Sequence, residues 1–214
     1  MRGYNTTWDF IEAIERAGEL VRIRTEVDPE LEISEIAIRV MREYGPALLF
    51  ENVRGSKMPL LINAYGSYRR MCMALGADSL DEISERITSL IDIKPPTSFK
   101  ESLKMLPHVA QIRKFPPRTT KNAACQEVVY RGDQVDLSTI PIIKCWPEDG
   151  GKFITLPQVI TRNPETGAQN LGMYRMQVID RNTTFLHAQS HHDTARHLRM
   201  YREQGIMKVP CAVA

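Results

Sequence analysis

The densest cluster of side chains able to hold a metal is Ser190-His191-His192-Asp193, with His187 before it and His197 after it. A neutral imidazole is the commonest transition-metal ligand, and a loop at the end of a strand is where function usually sits. The same run also fits a solvated loop whose histidines bind nothing. No HxxxH-plus-acid zinc pattern is complete. His187 and His191 are four apart, but a change from strand to loop is expected between them, so helical facing does not apply.

A second group is Asn170, Tyr174 and Arg175. On a strand Asn170, Gly172 and Tyr174 share one face, and Arg175 takes the other unless the strand bends. Gly172 permits a bulge or a close backbone approach. A carboxamide oxygen is a good ligand for a hard cation, and a guanidinium offers a fork to a carboxylate or phosphate. The plain alternative is the polar outer face of a strand. A third group, Gly150-Gly151-Lys152-Phe153-Ile154-Thr155-Leu156-Pro157, sets two glycines before a strand, where backbone can approach a phosphate. It lacks the GxxxxGK[ST] spacing of a nucleotide loop.

These residues need elements to position them. Phe153 to Arg162 and Asn170 to Asp180 read as two long strands, joined by Asn163-Pro164-Glu165-Thr166-Gly167, a strong hairpin signal because Pro164 fixes φ and Gly167 tolerates positive φ. Gln126 to Tyr130 and Thr183 to Gln189 read as shorter strands, and Thr194 to Gln204 as a helix. Met207 to Ala214 reads as an apolar strand, which leads us to expect that the sequence is the N-terminal part of a longer polypeptide.

The first third alternates helix and strand. Thr7 precedes a helix with Phe10, Ile11 and Ile14 on one face and Gly18 as its stop. Leu20 to Arg24 alternates like a half-buried strand. Ile33 to Tyr44 has a helical period. Ala47-Leu48-Leu49-Phe50 and Pro59-Leu60-Leu61-Ile62 read as buried strands around an Arg54-Gly55-Ser56 turn. Ser67 to Leu75 and the stretch from the capping box Ser79-Leu80-Asp81-Glu82 to about Ile91 read as helices. Beyond Ile91 the chain is punctuated by Pro95-Pro96, Pro107 and Pro116-Pro117. The expected division is therefore an N-terminal α/β domain at 1–93, a linker at 94–120 and a β-rich part at 121–214.

Composition narrows the class. At 214 residues the chain can bury a sizeable core. A hydrophobic share of 43% and a charged share of 25% are those of an ordinary globular protein. With Lys+Arg at 28 and Asp+Glu at 26, there is no basic surplus that would favour nucleic acid. No apolar run reaches the roughly 18 residues of a membrane helix, and MRGYNTTWDF has no apolar signal core. Cys72, Cys125, Cys145 and Cys211 form no CxxC motif and read as scattered reduced thiols. A cytoplasmic location is expected.

The run ITLPQVITRNPETGAQNLGMYRMQVID, from Ile154 to Asp180, closely resembles the central motif of the UbiD-type decarboxylases. LHAQSHH after it is also similar to the family, as are WDFIEAIERAGELVRI, PALLFENVRG and YGSYRRMCMALG in the N-terminal region. The resemblance spans essentially the whole chain and about the first half of a family member. It implies reversible, non-oxidative decarboxylation of an aromatic or α,β-unsaturated acid by prenylated FMN, with Mn²⁺ and K⁺ at its phosphate. The fold it implies is an α/β domain, then a flavin-reductase-like split β-barrel of which this chain holds part, then a C-terminal oligomerisation domain absent from this chain.

By the same resemblance Asn170 and His191 match metal-binding positions, and Arg175 the arginine facing the substrate carboxylate and the flavin. Thr155 matches a cofactor-contacting position, and Ser190 lies beside the metal histidine. A flavin prenyltransferase is implied as supplier of the cofactor, and a homo-oligomer, dimer or hexamer, as the complete assembly. The family's metal-binding glutamate and its two catalytic glutamates have no match here, Glu203 included, so the isolated chain is expected to be inactive. The alternatives are a non-catalytic flavin- or metal-binding or assembly subunit of a split enzyme and a flavin-reductase-like oxidoreductase.

Overall fold

A computed structural model of the chain describes residues 3–91, 119–121 and 123–214. The first unit is a three-layer α/β arrangement. Helix α1 (Thr7–Arg16) starts at Thr6, one residue earlier than Thr7 suggested. Thr6 accepts from the Asp9 amide and Asp9 reaches back to the Thr6 amide, so two orphan N–H groups are satisfied reciprocally. Strand β1 (Leu20–Ile23), helix α2 (Glu32–Arg42), β2 (Ala47–Phe50) and β3 (Leu60–Ile62) come next, then helices α3 (Tyr68–Leu75) and α4 (Leu80–Ile91). The sheet order is β1-β2-β3, with β1 parallel and β3 antiparallel to β2.

The strand period of two decides the layering. Leu48 and Phe50 point to α2, where they meet Ile33, Val27 and Val53. Ala47 points to the other face, where it meets Phe10 and Ile14 of α1 and, at its margin, Met73 and Ala74 of α3. Every residue of β2 is buried, as a central strand covered on both faces requires. Ser67 caps α3 through the Arg70 amide, and Gly76 ends it in the left-handed conformation at φ 62°. The expected box before α4 is half made: the Ser79 hydroxyl accepts from the Glu82 amide, but the Glu82 carboxylate reaches the Asp78 amide.

Most of the expected linker at 94–120 lies outside the described residues. After it, Gln126–Tyr130 is not a strand: Ala124–Gln126 forms a 3-10 turn, and Val128, Val129 and Tyr130 are exposed with no partner strand among the described residues. Residues 142–145 return to the first unit. Ile143 enters the α2-facing core, and the Lys144 carbonyl accepts from the Leu31 amide and the Ser34 hydroxyl.

The two long strands expected in the last third are each broken. Phe153 to Arg162 becomes β4 (Phe153–Ile154) and β5 (Gln158–Arg162), and Asn170 to Asp180 becomes β6 (Gln169–Met173) and β7 (Met176–Val178). The breaks face one another. Ile154 pairs with Met176 on one side and Gln158 with Met173 on the other, so this is one long hairpin bent at 155–157 and 174–175. Its turn is the one read from sequence: the Asn163 side-chain oxygen accepts from the Glu165 and Thr166 amides, and Gly167 takes φ 71°.

The two arms join different sheets. β7 pairs with β8 (Thr184–Leu186), giving the order β4-β7-β8, and β5 pairs with β9 (Ala212–Val213), giving β6-β5-β9. β8 and β9 are shorter than the strands expected over Thr183–Gln189 and Met207–Ala214. Helix α5 (Asp193–Glu203) packs on β5 and β6 through buried Thr194 and His197. No helix among the described residues is long and apolar enough to cross a membrane.

Candidate functional site

The site forms where the bent hairpin meets the N-terminus of α5. Thr161 and Asn170 are register partners across β5 and β6, so their side chains share the face toward the helix. The Asn170 amide nitrogen donates to the Tyr174 hydroxyl at 3.3 Å and to the Thr194 hydroxyl at 3.4 Å. Both of its hydrogens are thereby directed into the protein, and the amide oxygen makes no hydrogen bond among the described residues. That polarity is the one a metal ligand needs.

Tyr174 reaches Asn170 by folding back over Gly172. A Cβ at Gly172 would lie 2.3 Å from the tyrosine oxygen, so the glycine is the room the ring occupies. The Tyr174 ring is buried and packs on His192 with centroids 5.1 Å apart. His192 stacks edge-on with His191 at 4.4 Å, and its Nδ1 accepts from the Gln189 amide at 3.1 Å. His191, exposed, is connected to Asn170 through His192 and Tyr174 and lies just before the first turn of α5. Ser190 is exposed beside it, and its carbonyl accepts from Arg199 at 2.8 Å.

Arg175 leaves this group, because the chain bends at Tyr174 and Arg175 faces the other arm. Its guanidinium donates to Asp149 at 3.1 Å and lies 3.6 Å over the Phe153 ring. Asp149 also accepts from the Trp146 amide, which holds the carboxylate in place. Thr155 is exposed on the opposite limb of the bend. Asn170 is thus linked to His191 through Tyr174 and His192, Ser190 precedes His191 in the chain, and Arg175 and Thr155 lie at the bend of the hairpin.

Sequence reasoning passed over Asp149, Thr161 and Thr194 as site components, and took Phe153 only as part of the glycine-led run. The Asp149-Gly150-Gly151 run was the available signal for Asp149. Nothing in the spacing of Thr161 or Thr194 distinguishes them from ordinary strand and helix residues. Among the described residues, no three His, Cys, Asp or Glu side chains gather to hold a metal. One amide oxygen and one imidazole are present, so they fit a cation that keeps most of its positions for other oxygens. A cleft of about 310 Å³ between Asp136, Lys152, Asp180 and Arg181 contains none of these residues.

Residues 118–214 match the family model described as the 3-octaprenyl-4-hydroxybenzoate carboxy-lyase Rift-related domain, and residues 11–87 match that of the N-terminal domain of the same carboxy-lyase. An uncharacterized protein of Archaeoglobus fulgidus is 45% identical over 211 residues, covering 99% of this chain and 43% of that protein. The vanillic acid decarboxylase of Sedimentibacter hydroxybenzoicus, in closed form, has a similar structure. Its TM-score is 0.79 at 28% identity, over 100% of this chain and 43% of the other. The UbiD-class enzyme HmfF of Pelotomaculum thermopropionicum, in complex with FMN, shares the fold with TM-score 0.77 at 22% identity, over 97% of this chain and 41% of the other. The chain thus spans less than half the length of the relatives it matches.

Proposed function

This chain belongs to the UbiD family of carboxy-lyases, and on that premise we propose that it carries the flavin- and metal-holding part of an enzyme that decarboxylates an aromatic or α,β-unsaturated carboxylic acid, reversibly and without net oxidation. The observation that supports this reading best is Asn170, its nitrogen tied to Tyr174 and Thr194 and its oxygen left without a hydrogen bond among the described residues. We assign the two bent sheets to the flavin-binding split barrel, and keep the division 1–93, 94–120 and 121–214.

Asn170 and His191 would hold Mn²⁺ through two neutral ligands, with K⁺ nearby, and the cation would offset the charge of a flavin phosphate. Prenylated FMN, when bound, supplies the electron sink for the bond broken as CO₂ leaves. The chain's own residues orient and shield. Arg175 presents a fixed positive fork to the substrate carboxylate, since Asp149 and the Phe153 face restrict its rotation. Thr155 and Ser190 are both exposed and would contact the cofactor. Asp149 is the one acid paired with Arg175 among the described residues, and it is already engaged. Returning a proton to carbon calls for a further acid, each such group contributing about 10²–10⁴ in rate.

The test is metal and flavin content. Asn170→Ala and His191→Ala are expected to lose Mn²⁺ and prenylated FMN together, because the two share one cluster. Full retention of both by either variant removes the assignment. The 214-residue chain alone, supplied with the cofactor and Mn²⁺, is expected to show no sustained CO₂ release. Steady turnover would place the missing acid within these residues.

A further inference from the structure

Behind Asn170 lies a line of buried side chains that family membership does not assign. The Thr194 hydroxyl, which accepts from Asn170, is 3.4 Å from the Thr161 hydroxyl, and Thr161 is 3.0 Å from His197 Nδ1. Thr161, Thr194 and His197 are 2%, 0% and 5% exposed, so none can turn to water for a missing partner. Each hydroxyl proton in the line must therefore find its acceptor within it.

The direction is fixed by elimination. Thr194 uses a lone pair on the Asn170 N–H, and its own hydrogen has Thr161 as its available acceptor among the described residues. Thr161 then sends its hydrogen to His197, whose Nδ1 is the terminal acceptor. A neutral imidazole with its proton on Nε2 completes the order. Reversing the line puts a proton on Nδ1, makes Thr194 a donor toward Asn170, and turns the amide oxygen inward. We infer that the Thr194–Thr161–His197 line is a positioning relay that keeps the Asn170 carboxamide oxygen facing outward.

This rests on the metal reading above for its use, but not for its geometry, and the test separates the two. In the 214-residue chain, nitrogen-correlated NMR of the imidazoles is expected to show His197 with a bare Nδ1, and Nδ1 protonation overturns the relay whatever happens to metal. Titration with Mn²⁺ alone supplies the second readout. Thr194→Val, which keeps shape and deletes the hydroxyl, is expected to weaken Mn²⁺ binding about 10-fold or more, in the range seen when groups behind a ligand are lost. Thr194→Ser, which restores the hydroxyl, is expected to stay within about two-fold of the parent on the same reasoning. Equal Mn²⁺ affinity in Thr194→Val and the parent, with Asn170→Ala impaired, overturns the relay. If Asn170→Ala itself binds normally, the metal assignment has failed and the His197 tautomer alone decides. If Thr194→Val does not fold, Thr161→Val takes its place with the same expectations.

Discussion

At the scale of single residues, the arrangement separates holding from orienting. Arg175 is half-exposed, so its bond to Asp149 contributes little to stability, on the order of 0–1 kcal/mol. Its value is in restricting the guanidinium. Asp149→Asn is therefore expected to leave the thermal midpoint nearly unchanged and, under the proposed decarboxylase reading, to lower kcat/KM roughly 10-fold, an effect of about 1.4 kcal/mol on the barrier. Equal activity in the variant would make Asp149 a bystander. Arg175→Lys should keep the fold and lose most activity, because an ammonium cannot reproduce the fork or the stacking on Phe153.

Gly172 makes a different demand. An alanine there meets the Tyr174 ring at 2.3–2.4 Å, which the buried tyrosine cannot relieve by a small shift. Gly172→Ala should cost about 1–3 kcal/mol of stability and expose Tyr174. Denaturant titration and tyrosine fluorescence check both. An unchanged stability would mean that the ring has another place to go.

At the scale of elements, the first unit is tied together by charge as well as by its core. Arg22 on β1 bonds Glu15 of α1 at 2.6 Å and Glu51 just after β2 at 2.7 Å, linking one helix and two strands. The hydrogen bonds from Arg22 hold both carboxyls below the usual glutamate range, and those carboxylates in turn raise Arg22. A carboxyl whose folded value is depressed contributes stability above its unfolded value, near pH 4.3, and loses it as pH falls through the lower folded value. The denaturation midpoint should therefore fall below about pH 4.3, and Arg22→Met should make that fall shallower. A slope identical to the parent's would show that the trio is not coupled to folding. Helix starts were legible to within a residue because caps are local: Thr6 to Asp9, one residue before the expected Thr7, and Ser67 to Arg70 each span one turn. The break in the long hairpin was not. Alternation continues through Thr155 and Tyr174, and the switch of sheets depends on what each arm meets in space.

At the scale of the molecule, the segment around Ile143 joins the two halves. Ile143 fills the core beneath α2, while its carbonyl accepts from the Phe153 amide that opens β4. Ile143→Ala should cost roughly 2–4 kcal/mol and raise amide exchange in β2 as well as β4. Faster exchange confined to β4 would mean the first unit does not rely on this segment.

The sequence by itself determined the alternating α/β character of residues 1–91, the Asn163–Gly167 turn and the family resemblance, and it nominated Asn170, His191 and Arg175 as candidates. All of these rest on periodicity, local turn chemistry or motif, which act over a few residues. Tertiary structure alone decided that Tyr174 folds over Gly172, that Asp149 pairs with Arg175, and that Thr161 and Thr194 stand behind Asn170. It also decided that Arg70, a charged helix residue, is fully buried and bonded to Glu19 and the Gly45 carbonyl. The physical reason is common to these contacts. Except for the Gly172–Tyr174 fold-back, their partners lie tens of residues apart, or nearly so, and no local preference encodes which buried donor will meet which acceptor until the layers have packed.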